Sequence, residues 1–176
     1  MFFGEGLRSE PLTAVFVVAS AWWVKWPLFA VIGAACDASC RRRIPTTALT
    51  ALAAAAWAGL AVTVVKELVD RARPPFADPG LDPIGAVPAS ASFPSGHSAT
   101  AFATAVAVGL VYPRLRLPLL ALAALVALSR VYLGMHYSTD VLAGTVLGAA
   151  IGLATGWMVL RVARSPRALA ARHALF

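Results

Sequence analysis

Three short stretches of the chain place chemically capable side chains at close spacing. In KELVDRARPP, Lys66 and Arg73 are seven residues apart, close to two helical turns. Both cations then project from one face of a helix that Pro74 ends at Arg73. Arg71 and Glu67 fall on other faces and read as solvated. In SFPSGHSAT, Ser95, Gly96 and His97 precede an Ala-rich run. Backbone N–H groups at a helix start, a glycine that admits close approach and a hydroxyl make an anion cradle, beside an imidazole that gives or takes a proton. In SRVYLGMHYSTDVLAG, Gly134 suits a chain reversal, Ser138 or Thr139 suits a helix cap, and His136 and Asp140 face together if the turn continues helically. A carboxylate accepting from one ring nitrogen leaves the other unprotonated and aimed outward, the condition for a nucleophilic imidazole. Arg130 adds a third cation. Alone, each stretch has a bland reading: snorkelling cations at a helix end, a capped turn, a structural His–Asp hydrogen bond.

The elements that must position these groups are apolar. Of 176 residues, 60% are hydrophobic and 13% charged, too few polar residues to coat a soluble globule, so the expected solvent is a membrane. The net charge of +7 does not mark a nucleic-acid binder, because long apolar runs separate the arginines instead of grouping them in a surface stripe. Candidate spans run roughly from Pro11 to Cys36, Thr46 to Val69, His97 to Val111, Leu117 to Leu133 and Asp140 to Leu160. The third and fourth are short. The first is interrupted by Lys25 among Trp22, Trp23 and Trp26, which also suits an interfacial helix followed by a tilted span. The amino terminus lacks the positive region of a signal peptide and reads as retained. Residues 1–176 thus form one all-α, polytopic transmembrane helix bundle of about five or six spans, with its motif-bearing region at 66–140.

Arginine placement orients this bundle. Arg41, Arg42, Arg43, Arg114, Arg116, Arg161, Arg164, Arg167 and Arg172 share one side, where Asp37 is the sole acid. Positive-inside logic makes that side cytoplasmic and turns the long Asp70–Ser95 segment outward, toward the periplasm or cell exterior of an inner-membrane protein. The three motif stretches lie at that outward face. Cys36 and Cys40, a helical turn apart, have no companions for a disulfide framework or a zinc site. Gly144, Gly148, Gly152 and Gly156 make a smooth face that either packs the bundle, the favoured reading, or forms a homodimer. His173, in an arginine-rich tail, reads as solvated.

Taken together, the spaced motifs KX6RP, PSGH and SRX5HX3D resemble the signature of the type 2 phosphatidic acid phosphatase (PAP2) superfamily from Lys66 to Asp140, with flanking Ser92, Phe93 and Tyr132. Every polar position of the signature is filled. The resemblance implies a lipid phosphatase in which His136 attacks phosphorus, Asp140 orients its ring, and His97 protonates the leaving oxygen and then activates water. It also implies that Lys66, Arg73 and Arg130, with Ser95 and the Gly96 backbone, hold the non-bridging oxygens, with no metal and no cofactor. The expected substrate is a polyprenyl phosphate or diphosphate, or a phosphatidate-type lipid, and the expected partners are membrane lipids. A phosphotransferase and a non-catalytic lipid-phosphate carrier are the alternatives. The soluble vanadium haloperoxidases share the motif set, but the apolar spans exclude that role.

Overall fold

The structure, a computed structural model, describes residues 8–21, 31, 32, 35, 37, 38 and 46–163. Its principal elements are helices α1 (Glu10–Ser20), α2 (Thr46–Val69), α3 (Gly96–Val111), α4 (Arg116–Tyr132) and α5 (Ser138–Ala163). A helical turn at Pro74–Ala77 and a 3-10 turn at Pro113–Leu115 complete the set. Among the described residues there is no strand. The stretches Thr46–Ala77, Pro113–Tyr132 and Ser138–Val162 are long and apolar enough to cross a membrane, while α1 and α3 are shorter apolar helices.

The first expected span does not form one helix. Ala21 is extended, with φ −68° and ψ 128°, and ends α1. Residues 31, 32, 35, 37 and 38 are helical again. Lys25, Trp22, Trp23, Trp26, Cys36 and Cys40 lie outside the described residues, as do Arg41–Arg43, Arg164, Arg167, Arg172 and His173. Asp37 is buried and accepts from the Thr47 amide (3.0 Å), the Thr47 hydroxyl (2.7 Å) and the Ala48 amide (3.4 Å). The acid read as the sole one on its side therefore caps the start of α2 from ten residues upstream.

At 16 residues, α3 rises about 24 Å, less than a hydrocarbon core. It is central instead, packing on α2, α4 and α5. Its Ala99, Ala103, Ala105 and Ala107 are fully buried, and small side chains let neighbouring backbones close in. The glycine face of α5 meets this helix. A Cβ on Gly144, Gly148 or Gly152 would collide with the carbonyl oxygens of Ser95, Ala99 and Ala103, and one on Gly156 would press on Leu110 and Ala107. Both series advance by four residues in the same direction, so α3 and α5 run parallel and their N-termini meet at one end. That face is packed against α3 of the same chain, the favoured of the two readings of the glycine spacing.

The outward surface is apolar. Leu52, Trp57 and Leu60 of α2 and Leu142, Val146 and Met158 of α5 are all more than half exposed, as suits helices solvated by lipid. At the end of the bundle where α3 and α5 begin, α1 covers the α4–α5 turn: the Tyr132 hydroxyl accepts the Ser9 amide at 3.3 Å and lies 2.9 Å from the Thr13 hydroxyl, with its ring 4.6 Å from that of Phe16.

Candidate active site

Local sequence fixes each contributor. Helix α2 stops at Val69 because Asp70 takes a left-handed conformation (φ 40°), which Asp tolerates better than most residues. This corrects the expected helix through Arg73. Arg73 is extended, with φ −74° and ψ 155°, as the residue before a proline should be. Lys66 and Arg73 therefore do not share a helix face, yet both line one cavity of about 760 Å³. Gly96, His97 and His136 line it as well.

Loop carbonyls tether the two cations. Lys66 Nζ donates to the Ala91 carbonyl. Arg73 Nε donates to the Ser90 carbonyl at 2.8 Å and Nη1 to the Met135 carbonyl at 3.1 Å. Arg130 is 6% exposed, and its Nε has no partner. A buried donor left open in this way is a group awaiting an acceptor.

Ser95 caps α3, its hydroxyl oxygen accepting from the Ser98 amide at 3.4 Å and the Ser98 hydroxyl at 3.0 Å. Its own amide donates to the Asp140 carbonyl at 2.9 Å, which ties the start of α3 to that of α5. Ser95 is fully buried and, like Arg130 and Asp140, is not a wall of the cavity.

His136 sits in the turn that Gly134 (φ 72°) reverses. Its amide and that of Met135 donate to the Arg130 carbonyl, at 3.2 and 3.1 Å, holding the turn against α4. Asp140 Oδ2 accepts the Tyr137 amide at 3.0 Å. Neither Ser138 nor Thr139 has the capping role expected of it; Asp140 reaches back from the first turn as in a capping box. The same Oδ2 lies 3.5 Å from His136 Nδ1 and accepts the Ser92 hydroxyl, which is itself 3.4 Å from Nδ1. At 3.5 Å the direct approach is long for a hydrogen bond, so Ser92 shares in holding the ring. On the other side, Arg73 Nη1 is 3.2 Å from Nε2. A guanidinium only donates, so this geometry fits an unprotonated Nε2 and an Nδ1–H turned toward Asp140. His136 is 2% exposed, and burial lowers its pKa to about 4. Arg73 and Arg130 push the same way, against the hydrogen bond to Asp140.

Sequence reasoning missed three groups. Arg71, read as solvated, forms an ion pair with Asp140 Oδ1 at 2.8 Å. Glu67, also read as solvated, lines the cavity together with Asp70. Arg71 lies past the helix stop at Asp70, so helical spacing could not give its direction.

The chain is 38% identical over 109 residues to lipid A 1-phosphatase of Rhizobium johnstonii, covering 60% of this chain and 45% of that protein. It is 36% identical over 133 residues to decaprenylphosphoryl-5-phosphoribose phosphatase of Mycobacterium tuberculosis, covering 73% and 68%. The chain spans about half the length of the lipid A 1-phosphatases it matches. Its fold matches the crystal structure of a transmembrane PAP2 type phosphatidylglycerolphosphate phosphatase from Bacillus subtilis, with a TM-score of 0.74 and 28% identity over 90% of this chain and 81% of that one. The family match to PAP2 covers residues 47–164 and encloses all three motifs, so the chain belongs to the PAP2 superfamily.

Proposed function

We propose that this chain is a membrane lipid phosphatase that hydrolyses a polyprenyl phosphate or diphosphate, or a phosphatidate-type phosphomonoester, through a phosphohistidine on His136. The observation that carries this reading is the convergence on one cavity of His136 Nε2, the Lys66 and Arg73 cations and His97 at the start of α3. The relatives named above are phosphatases of lipid-linked phosphates, which supports the substrate class.

The chemistry follows from the residue types. Phosphate oxygens draw Lys66 and Arg73 from their loop carbonyls and free the Nε2 lone pair. Nε2 attacks phosphorus as the bond to the leaving oxygen breaks, and His97 gives that oxygen its proton. Asp140 orients the ring and offsets the positive charge it acquires. His97, now a base, takes a proton from water, whose oxygen attacks phosphorus, breaks the P–N bond and releases phosphate. Arg130, with its open Nε, and the Gly96 amide at the helix start add to the hold on the non-bridging oxygens, as does the Ser95 hydroxyl. Fixed cations do here the work given to Mg²⁺ in many phosphoryl-transfer sites. The chain is placed as a multi-pass protein with this site on the extracytoplasmic face, on the strength of its arginine distribution.

The test is phosphate release by purified protein in detergent, across prenyl diphosphates, prenyl-linked sugar phosphates, phosphatidate and phosphatidylglycerol phosphate. Turnover on at least one is expected, persisting in EDTA and falling by roughly 10³-fold or more in His136→Ala. Lipid binding without turnover on any member would replace the phosphatase reading by that of a carrier.

A further inference from the structure

We propose that Arg71 is a positioning residue for the His136 nucleophile, acting through Asp140; the inference rests on the hydrolytic reading above. Asp140 is fully buried and divides its carboxylate between two tasks. Oδ2 serves the nucleophile, facing His136 Nδ1 at 3.5 Å and accepting from Ser92 and the Tyr137 amide. Oδ1 is taken by Arg71 Nη1 at 2.8 Å. The terminal torsion of an Asp side chain is broad and roughly two-fold, so a carboxylate held at one oxygen is free to swing. Holding both oxygens fixes its plane, and with it the tautomer and aim of the imidazole.

Arg71 is itself held. The same Nη1 donates to the Thr139 hydroxyl at 2.8 Å, and its guanidinium carbon lies 3.8 Å from the centre of the Tyr137 ring. Its backbone acts in the same direction, because the Arg71 carbonyl accepts the Ser92 amide at 2.7 Å and Ser92 then contacts both Asp140 and His136. Unlike Lys66 and Arg73, Arg71 does not line the cavity. It grips Asp140 by the oxygen turned away from His136, which separates it from the phosphate-binding cations. With 37% of its side chain exposed, the ion pair is partly screened by water, so a moderate effect is expected.

Steady-state phosphate release is to be measured in detergent for the wild type, Arg71→Gln, Arg71→Lys, Asp140→Asn and the double variant Arg71→Gln/Asp140→Asn. The expected result is a kcat about tenfold lower for Arg71→Gln with KM within about twofold, and a smaller loss for Arg71→Lys, whose ammonium still donates to Oδ1. In the Asp140→Asn background, Arg71→Gln should cost nothing further, because the two act as one unit. A raised KM at unchanged kcat would make Arg71 a substrate contact and overturn the proposal. So would an equal fractional loss in both backgrounds, the mark of a general structural role. A wild type that turns over with an Arg71→Gln variant of equal kcat overturns only the role of Arg71; a wild type that releases no phosphate overturns the hydrolytic reading and this role with it.

Discussion

His136 keeps its lone pair because protonating it would put a cation into a buried pocket that already holds Arg73 and Arg130. The sign follows from its pKa, which lies near 4 in the folded protein against 6.5 for the free side chain. Between those values the unfolded chain binds a proton that the native one refuses. The neutral ring therefore contributes stability that is complete above about 6.5 and is lost as pH falls through about 4. Nitrogen-15 NMR of the imidazoles, titrated from pH 8 to 4 in micelles, should show His136 neutral at pH 6 with a midpoint near 4; a midpoint at 6.5 or above would show that the pocket is wetter than its burial implies. At this scale the pairing was legible in the sequence and its cause was not. Spacing sets His136 and Asp140 together on condition that the turn continue helically; the helix begins only at Ser138, and the two meet because Asp140 reaches back to the Tyr137 amide, which leaves Oδ2 3.5 Å from Nδ1. The sequence was silent where a partner lies far along the chain: Arg71 meets Asp140 across 69 residues, and helical reasoning set it aside because the helix was carried past Asp70.

Helix α3 holds His97 and, through Ser95, meets α5 at Asp140, so the α3–α5 contact sets the geometry between the proposed proton donor and the carboxylate beside the proposed nucleophile. Glycine makes that contact possible. Adding a methyl at Gly148 would drive a Cβ into the Ala99 backbone, which cannot yield as a flexible side chain would. Gly148→Ala should therefore cost about 1–3 kcal/mol, read as a lower melting temperature and reduced turnover. Gly59→Ala is the control, since a Cβ there meets nothing within 4 Å. Equal melting temperatures for the two variants would show that α5 is not seated on α3 as described. The glycine spacing was readable and its packing role was the favoured reading, but only the structure names the partner face. The helix ends were less legible. Apolar runs locate α2 to α5 to within a few residues, the end of α2 at Val69 included, whereas the stop at Ala21 is a backbone choice that no apolar pattern encodes.

For the whole molecule the question is which way the bundle faces. The catalytic candidates gather at the end where α3 and α5 begin, and Arg114, Arg116 and Arg161 lie toward the other. Asp37 near that basic end is consumed in capping α2, which leaves the arginine excess unopposed there. Under the positive-inside rule the basic end would stay in the cytoplasm and the proposed site would open outward, where a lipid phosphate would be reached at headgroup depth. Membership of the family does not supply this orientation; it rests on charge counts, so it needs its own test. With Cys36 and Cys40 replaced by Ser, a single cysteine is introduced at Asp82, exposed in the Asp70–Ser95 loop, or at Arg114, exposed in the α3–α4 turn. A membrane-impermeant maleimide applied to intact cells, with the outer barrier opened where one exists, should label the Asp82→Cys protein fully and the Arg114→Cys protein only after lysis. Both variants should keep near wild-type phosphate release, because neither position lines the cavity. The reverse labelling pattern would invert the bundle and place hydrolysis on the cytoplasmic leaflet, with the chemistry at His136 unchanged and the pool of lipid it draws on exchanged for another.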